Sequence, residues 1–349
     1  MLDQENFAKP LIIGSRSFLP GERGIVQLPF GHLLSHTEVC LDIHVIRGKK
    51  PGPRVFIFGA IHGDEINGVQ ISRKVLTSSK LKRLRGDLIV IPVANPPAFS
   101  NRARYLPDRR DLNRLFPGSD KGSLGARLAR QLTSIMSLCT HGIDLHTGAV
   151  NRPNLPQVRI SPGCEESLAM ARAFDAPVIV VSKIREDTLR AEMAKRGAPV
   201  LLYEAGEAEV LDPTSVRIGY RGLLKVLTHL EMFPATRTNW VSKKTPTVVS
   251  KQSGWVRSPK GGLFLPSVRM GRAVAENAII GTVEDPYSSL STDIISDKEG
   301  VIIGMNQQAV VDEGDGLFHI ANTRDPEAAE EKIGLNQEHH DNSFDELSF

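Results

Sequence analysis

A chain of 349 residues with 40% hydrophobic, 24% charged and 5% aromatic side chains has the composition of an ordinary globular protein and enough length for more than one core. Its formal charge of +3 and pI near 8.7 are mild, and no basic cluster is interleaved with aromatics, which argues against a nucleic-acid partner. Its 3 cysteines, Cys40, Cys139 and Cys164, show no C-x-x-C spacing, which argues against a disulfide framework or thiolate metal site and for a reducing compartment.

The first residues, MLDQENFAKPLIIGSRS, carry acids early and lack the basic flank and apolar stretch of a secretory leader. The longest apolar runs, such as Ala176 to Val181, are strand-sized and far short of the roughly 20 residues that cross a bilayer. A cytoplasmic protein with no membrane partner is therefore expected. Two strand-like stretches come first, GIVQLPF and TEVCLDIHVI, the second alternating as a half-buried strand does. From Arg54 the character changes. RVFIFGA reads as a dense buried strand, NGVQISRKVL as a helix, DLIVIPVANP as a strand, GARLARQLTSIMSLC as a helix, GIDLH as a strand and ESLAMARAF as a helix. PVIVV, a helix over Thr188 to Lys195, PVLLYEAG and a last helix near Val216 to Met232 continue the alternation. Near-continuous apolar strands between amphipathic helices predict an α/β fold, its mostly parallel sheet flanked by helices on both faces. Gly148 to Pro162 is read as a loop that shapes the pocket, and its VNRPNLPQV offers no recognisable code.

Around Pro234 to Ser253 the chain turns polar, and beyond it helical patterns give way to glycine and valine at short intervals. The expected division is a catalytic domain over residues 1–240, a small β barrel-sandwich-like domain over 241–322 and an acidic tail over 323–349. Within the second domain, segments starting at Ser258 and Ser296 resemble one another, with Gly262 answering Gly300, as two halves of a small barrel would. They resemble the barrel-sandwich fold of biotinyl and lipoyl carrier domains. The connection where a carrier has its modified lysine, DPYSSLSTD, contains none, so no carrier role is expected. One-sign charge and low hydrophobicity in the tail predict disorder, or a short helix docked on a neighbour; His339 and His340 could bind metal, but a solvated pair of tail histidines is the commoner case.

The strongest local signal is GAIHGDEINGV, which passes from a buried strand into a helix. Glu65 follows His62 by three residues, so a turn into helix there brings an imidazole and a carboxylate onto one cation. Taken alone, such a pair is more often loop or cap chemistry. A second strand end, GIDLHTG, adds Asp144, His146 and Thr147, and the carboxyl ends of parallel strands are where open α/β sheets place their sites. Two histidines and a glutamate supply three ligands and leave a fourth position for water, the arrangement of a catalytic zinc; one Zn2+ per chain is expected. The plainer alternative for His146 is a strand-end imidazole bonded to backbone. Asp144 either orients a ligand imidazole or caps a turn. In RARYLPDRRDLNRLFPG, Asn113 and Arg114 sit among apolar neighbours, so Arg114 is expected to be tucked inward as a bidentate donor to a substrate carboxylate. A third strand, PVLLYEAG, closes on Glu204. A carboxylate there is costly without a partner, which marks it as a general-base candidate.

HGDE, DLNR, DLHTG and YEAG, in this order and at these strand ends, resemble the motifs of the succinylglutamate desuccinylase and aspartoacylase family, itself related to the zinc carboxypeptidases. The resemblance spans approximately residues 20 to 235, and a carrier-like barrel after it is also typical of deacylases in this group. It implies that His62, Glu65 and His146 bind zinc, that Glu204 is the catalytic carboxylate, and that Asn113 and Arg114 hold the substrate's free carboxylate. It further implies that Arg104 polarises the scissile carbonyl, with Arg109 and Arg110 as alternatives because the spacing to Asn113 is longer than in aspartoacylase, and that Arg190 contacts a second substrate carboxylate. The implied activity is hydrolysis of the amide bond of an N-acyl amino acid or related small carboxylate, with water activated by zinc and Glu204. A zinc carboxypeptidase acting on peptides is one alternative. A non-catalytic ligand-binding or assembly protein is another, although a binder has no need of a base such as Glu204. The barrel and tail are the surfaces through which a homo-oligomer would assemble. No strand is followed by G-x-G-x-x-G, and G-x-x-x-x-G-K-[ST] and G-x-S-x-G are absent, which removes the nucleotide and serine-hydrolase readings.

Overall fold

In the computed structural model, which describes residues 4–234 and 247–342, a hairpin of β1 (Arg23–His32) and β2 (Glu38–Arg47) leads into the alternating part of the chain. That part runs β3 (Lys50–Gly59), α1 (Asn67–Leu76), β4 (Arg85–Ile91), α2 (Leu124–Met136), β5 (His141–Gly148), β6 (Asn154–Ile160), α3 (Glu165–Phe174), β7 (Val178–Val181), α4 (Leu189–Lys195), β8 (Val200–Glu207) and α5 (Pro213–His229). β4, β3, β5 and β8 lie side by side in parallel. Antiparallel strands flank them, β2 beyond β4 and β6 beyond β8.

Alternation along each central strand divides the interior into two cores. On β3, Val55 and Ile57 join Ile71 of α1, Phe174 of α3 and Leu223 of α5, whereas Phe56 and Phe58 join Leu132 of α2 and Leu189 of α4. Helices thus cover both faces, as continuous apolar strands require. On β5, Ile143 and Leu145 enter the first core, which turns Asp144 and His146 to the opposite face.

Two elements differ from the sequence reading. α5 begins at Pro213, earlier than expected, because Asp212 accepts hydrogen bonds from the N–H groups of Thr214 and Ser215 and proline occupies the first turn. β6 occupies a stretch expected to be a loop. Pro156 removes a ladder donor there, and the buried Leu155, Val158 and Ile160 do not alternate.

The boundary expected at residue 240 lies outside the described residues. Beyond it come β9 (Val248–Ser250), β10 (Ser253–Arg257), β11 (Gly262–Pro266), β12 (Ile279–Glu284), β13 (Ser291–Ile295), β14 (Gly300–Met305) and β15 (Gly316–Asn322). β9 pairs with β7, and β14 meets β6 where Gly304 faces Asn154, so β14, β15 and β10 extend the large sheet. β11, β12 and β13 form a second, antiparallel sheet, and its Phe264, Ile280, Val283 and Ile294 pack against Ile302 and Phe318. The two similar segments start alike: Ser258 donates to the Lys260 carbonyl at 2.7 Å and Ser296 to the Lys298 carbonyl at 2.6 Å.

The acidic tail is described as far as residue 342. It forms α6 (Pro326–Asn342), whose Ala329 and Ile333 are buried against Leu155, Val178 and Ile303 of the same chain; these two apolar side chains anchor an otherwise polar helix. Among the described residues no helix is long and apolar enough to cross a membrane, and Cys40, Cys139 and Cys164 are all free thiols.

Candidate active site

Three adjacent parallel strands deliver the site. β3 ends at Gly59, and the turn after it carries His62 and Glu65 before α1 begins. Gly59 pairs with Leu145 on β5, one residue before His146, and Glu204 on β8 lies directly opposite His146. All of these positions are at the carboxyl ends of their strands, where loops diverge and leave a crevice.

His62, Glu65 and His146 are buried, and one ligand atom from each lies within 4.8 Å of the other two. Nδ1 of His62 is 2.7 Å from Glu65 Oε1, and Nδ1 of His146 is 2.8 Å from Glu65 Oε2. The Thr147 N–H donates to the same Oε2 at 3.1 Å. Carboxylates stand behind both rings. His62 Nε2 is 3.1 Å from Asp111 Oδ1, and His146 Nε2 is 2.9 Å from Asp144 Oδ2, an ion-pair distance whose angle is poor for a hydrogen bond. Burial opposes each of these charges, yet attraction wins. His62 is held above the ordinary imidazole range by Glu65 and Asp111, and His146 well above it by Asp144 and Glu65. Glu65 is held well below the usual carboxylate range by the two imidazoles. Two imidazole nitrogens and a carboxylate, each histidine backed by an acid through its other nitrogen, are a donor set that fits zinc with one position open.

The cluster opens into a cavity of about 620 Å³ whose lining includes Arg104, Asn113, Arg114, Arg190 and Glu204. Arg104 spans Glu65 and Asp111, with Nη1 3.3 Å from Glu65 Oε1 and Nη2 3.2 Å from Asp111 Oδ2. Arg109 and Arg110 do not line this cavity; Arg110 pairs with Asp108 and donates to Ser123. Asn113 is buried and accepts from the Leu189 N–H through Oδ1, which leaves Nδ2 as the remaining polar end of its amide. Arg114 reaches the cavity from an exposed position, not tucked inward as expected, because the short 3-10 turn from Leu112 buries Leu112 and Asn113 and turns the third residue out. Arg190 donates through Nη2 to the Lys183 carbonyl, and its buried Nη1 has no hydrogen-bond partner among the described residues.

Glu204 is held from two sides. Its Oε2 accepts from Asn154 Nδ2 at 2.8 Å, and its Oε1 is 3.6 Å from Arg159 Nη1. Both partners are on β6, in the stretch expected to be a loop, and were not singled out from sequence. Trp255 and His319 also line the cavity, stacked with ring centroids 5.0 Å apart and planes at 7°. They arrive from β10 and β15, and no motif announces them. Asp111 belongs to the DLNR motif, but its work of holding His62 and Arg104 shows only in three dimensions.

Residues 51–230 match the succinylglutamate desuccinylase/aspartoacylase catalytic domain. The chain is 25% identical over 312 residues to an N-alpha-acetyl-L-2,4-diaminobutyric acid deacetylase of Halomonas elongata, covering 86% of this chain and 91% of that one. A succinylglutamate desuccinylase/aspartoacylase from Rhodobacter sphaeroides superimposes with a TM-score of 0.76 at 25% identity, over 86% of this chain and 94% of that one. The product-bound ectoine utilization protein EutE (DoeB) from Ruegeria pomeroyi shares the fold with a TM-score of 0.77 at 24% identity, over 90% and 98% of the two chains. With the domain match covering more than half of its length and the four motifs gathered around one cavity, the chain belongs to the succinylglutamate desuccinylase/aspartoacylase family.

Proposed function

We propose that this protein is a zinc-dependent deacylase that hydrolyses the amide bond of an N-acyl amino acid or a related small carboxylate. The observation that carries the reading is the buried His62, Glu65 and His146 cluster opening into the same cavity as Glu204. A zinc ion held by those three residues would supply Lewis acidity toward a carbonyl oxygen and acidify a water molecule toward neutral pH.

The protein's own groups then divide the work. Glu204 receives the proton of the attacking water and returns it to the leaving amine. With Oε2 engaged by Asn154, Oε1 is the atom that carries it. Arg104, anchored on Glu65 and Asp111, presents a fixed positive charge to the oxygen on which negative charge develops. Asn113 and Arg114 grip the free carboxylate of the substrate, and Arg190 offers a further guanidinium. Basic side chains outnumber carboxylates around the cavity, and each of the three carboxylates already has a partner, Glu65 and Asp144 the imidazoles and Glu204 the Asn154 amide; this balance favours an anionic substrate. The name of the Halomonas elongata relative supports deacylation as the chemistry.

The test is amine release from a panel of N-acetyl, N-succinyl and other N-acyl amino acids by the zinc-loaded protein, beside a chelator-treated sample. Turnover of at least one member that disappears on chelation and returns with zinc is the expected outcome. Silence across the panel with zinc bound would overturn the reading and favour a peptide substrate.

A further inference from the structure

The base sits on β8, but the residue that orients it is controlled from the far end of the chain. Asn154 opens β6, and its Nδ2 donates to Glu204 Oε2 at 2.8 Å. The segment around Asn154 is gripped by β14 and the residues after it. The Met305 N–H donates to the Pro153 carbonyl at 3.3 Å, and the Gln307 N–H donates to the Asn151 carbonyl at 2.8 Å. Farther along β6, Gln157 donates to the Ile303 carbonyl at 3.2 Å. Gly304 faces Asn154 directly, and a Cβ at position 304 would stand 2.8 Å from Asn154 Oδ1, 3.3 Å from the His319 Cβ and 3.5 Å from the Pro153 carbonyl oxygen. The amide therefore has β14 immediately behind its oxygen and the base in front of its nitrogen. Only a residue without a side chain at 304 leaves it that position.

We infer that Asn154 is a positioning residue for Glu204, and that β14 sets its orientation through the close approach of Gly304. This rests on the reading of Glu204 as the catalytic carboxylate. An amide donor on Oε2 stops the carboxylate from rotating and leaves Oε1 toward the water. A small displacement of the amide loses that orientation without removing any group that holds zinc or substrate, so the loss falls on kcat and not on KM. The two positions act in series, because the atom nearest to a methyl group at 304 is the Asn154 amide oxygen, which must move first.

The experiment is steady-state kinetics of the zinc-loaded full chain, using the N-acyl amino acid from the panel that wild type hydrolyses fastest, with Asn154→Ala, Asn154→Asp, Gly304→Ala and the double variant Asn154→Ala/Gly304→Ala. Asn154→Asp keeps the size of the side chain and replaces the neutral donor on Oε2 by a second carboxylate, and unchanged zinc content and KM separate its effect from misfolding. The expected result is a fall in kcat on the order of 10-fold or more for each single variant, with KM and zinc content near wild type. The double variant should be no slower than Asn154→Ala. Wild-type kcat in Asn154→Asp, or additive losses in the double variant, overturns the inference and leaves the deacylase reading intact. A panel that wild type does not hydrolyse overturns both.

Discussion

Two of the three carboxylates that line the cavity, Glu65 and Glu204, meet different neighbours. Glu65 is fully enclosed and faces two imidazoles, which is the environment of a ligand. Glu204 faces an amide donor on one oxygen and a guanidinium at longer range on the other, which is the environment the proposed base needs. Glu204→Gln keeps the shape and an oxygen for Asn154 but cannot accept a proton, so kcat should fall roughly 100- to 10,000-fold. Zinc content per chain, measured by atomic absorption, should stay at the wild-type value, and a variant that keeps its rate would remove Glu204 from the role. At this scale much of the site was legible. His62, Glu65, His146 and Glu204 close apolar strands or open a helix, where a polar residue stands out against its context. Asn154 and Arg159 were not legible, because each meets Glu204 across an antiparallel pairing about which local sequence says nothing.

At the scale of elements, the paired strands β10 and β15 bring Trp255 opposite His319. Burial, helped by the nearby Arg159 charge, pushes the His319 imidazole down to about 3, so the ring stays neutral and flat against the indole. An unfolded histidine titrates near about 6.5, so between that value and about 3 the unfolded chain binds the extra proton. Stability therefore falls as pH drops through this window. His319→Phe keeps a ring for Trp255 to stack on and removes the titration. Its melting temperature should fall less between pH 7 and pH 5 than that of wild type, as followed by circular dichroism; equal falls would show that His319 is not the source. Strand reading followed the same physics. β3 and β5 are buried on both faces and read as apolar runs, and β8 starts as one before its alternate positions become half-buried, whereas β6 mixes Pro156, Gln157 and Arg159 into its ladder, and its apolar positions follow neither a period of two nor an unbroken run.

At the scale of the molecule, strands that follow residue 247 pair with strands that precede residue 234. The composition change after Pro234 is real, but composition does not say which strand edges pair, and β9 and β14 close edges of β7 and β6. Leu155, Val178 and Val180 share one buried cluster with Val248, Val301, Ile303, Ala321, Ala329 and Ile333. A chain ending at residue 234 would expose those first three side chains and an unpaired edge of β7, a surface that recruits other chains. It would also lose Gly304 behind Asn154 and the Trp255 and His319 wall of the cavity. Such a chain is expected to aggregate and not merely to change its substrate range. Of the described elements, a chain ending at Asn322 keeps every strand and loses only α6; the burial of Ile333 within it is worth about 2 to 3 kcal/mol. It should remain soluble, bind zinc and melt several degrees lower, since each kcal/mol shifts the melting temperature by roughly 2 to 4 °C in larger domains. Sedimentation and thermal melts of the two truncations separate the cases. A soluble, cooperatively melting chain of residues 1–234 would mean that the strands after residue 247 decorate the sheet instead of completing it.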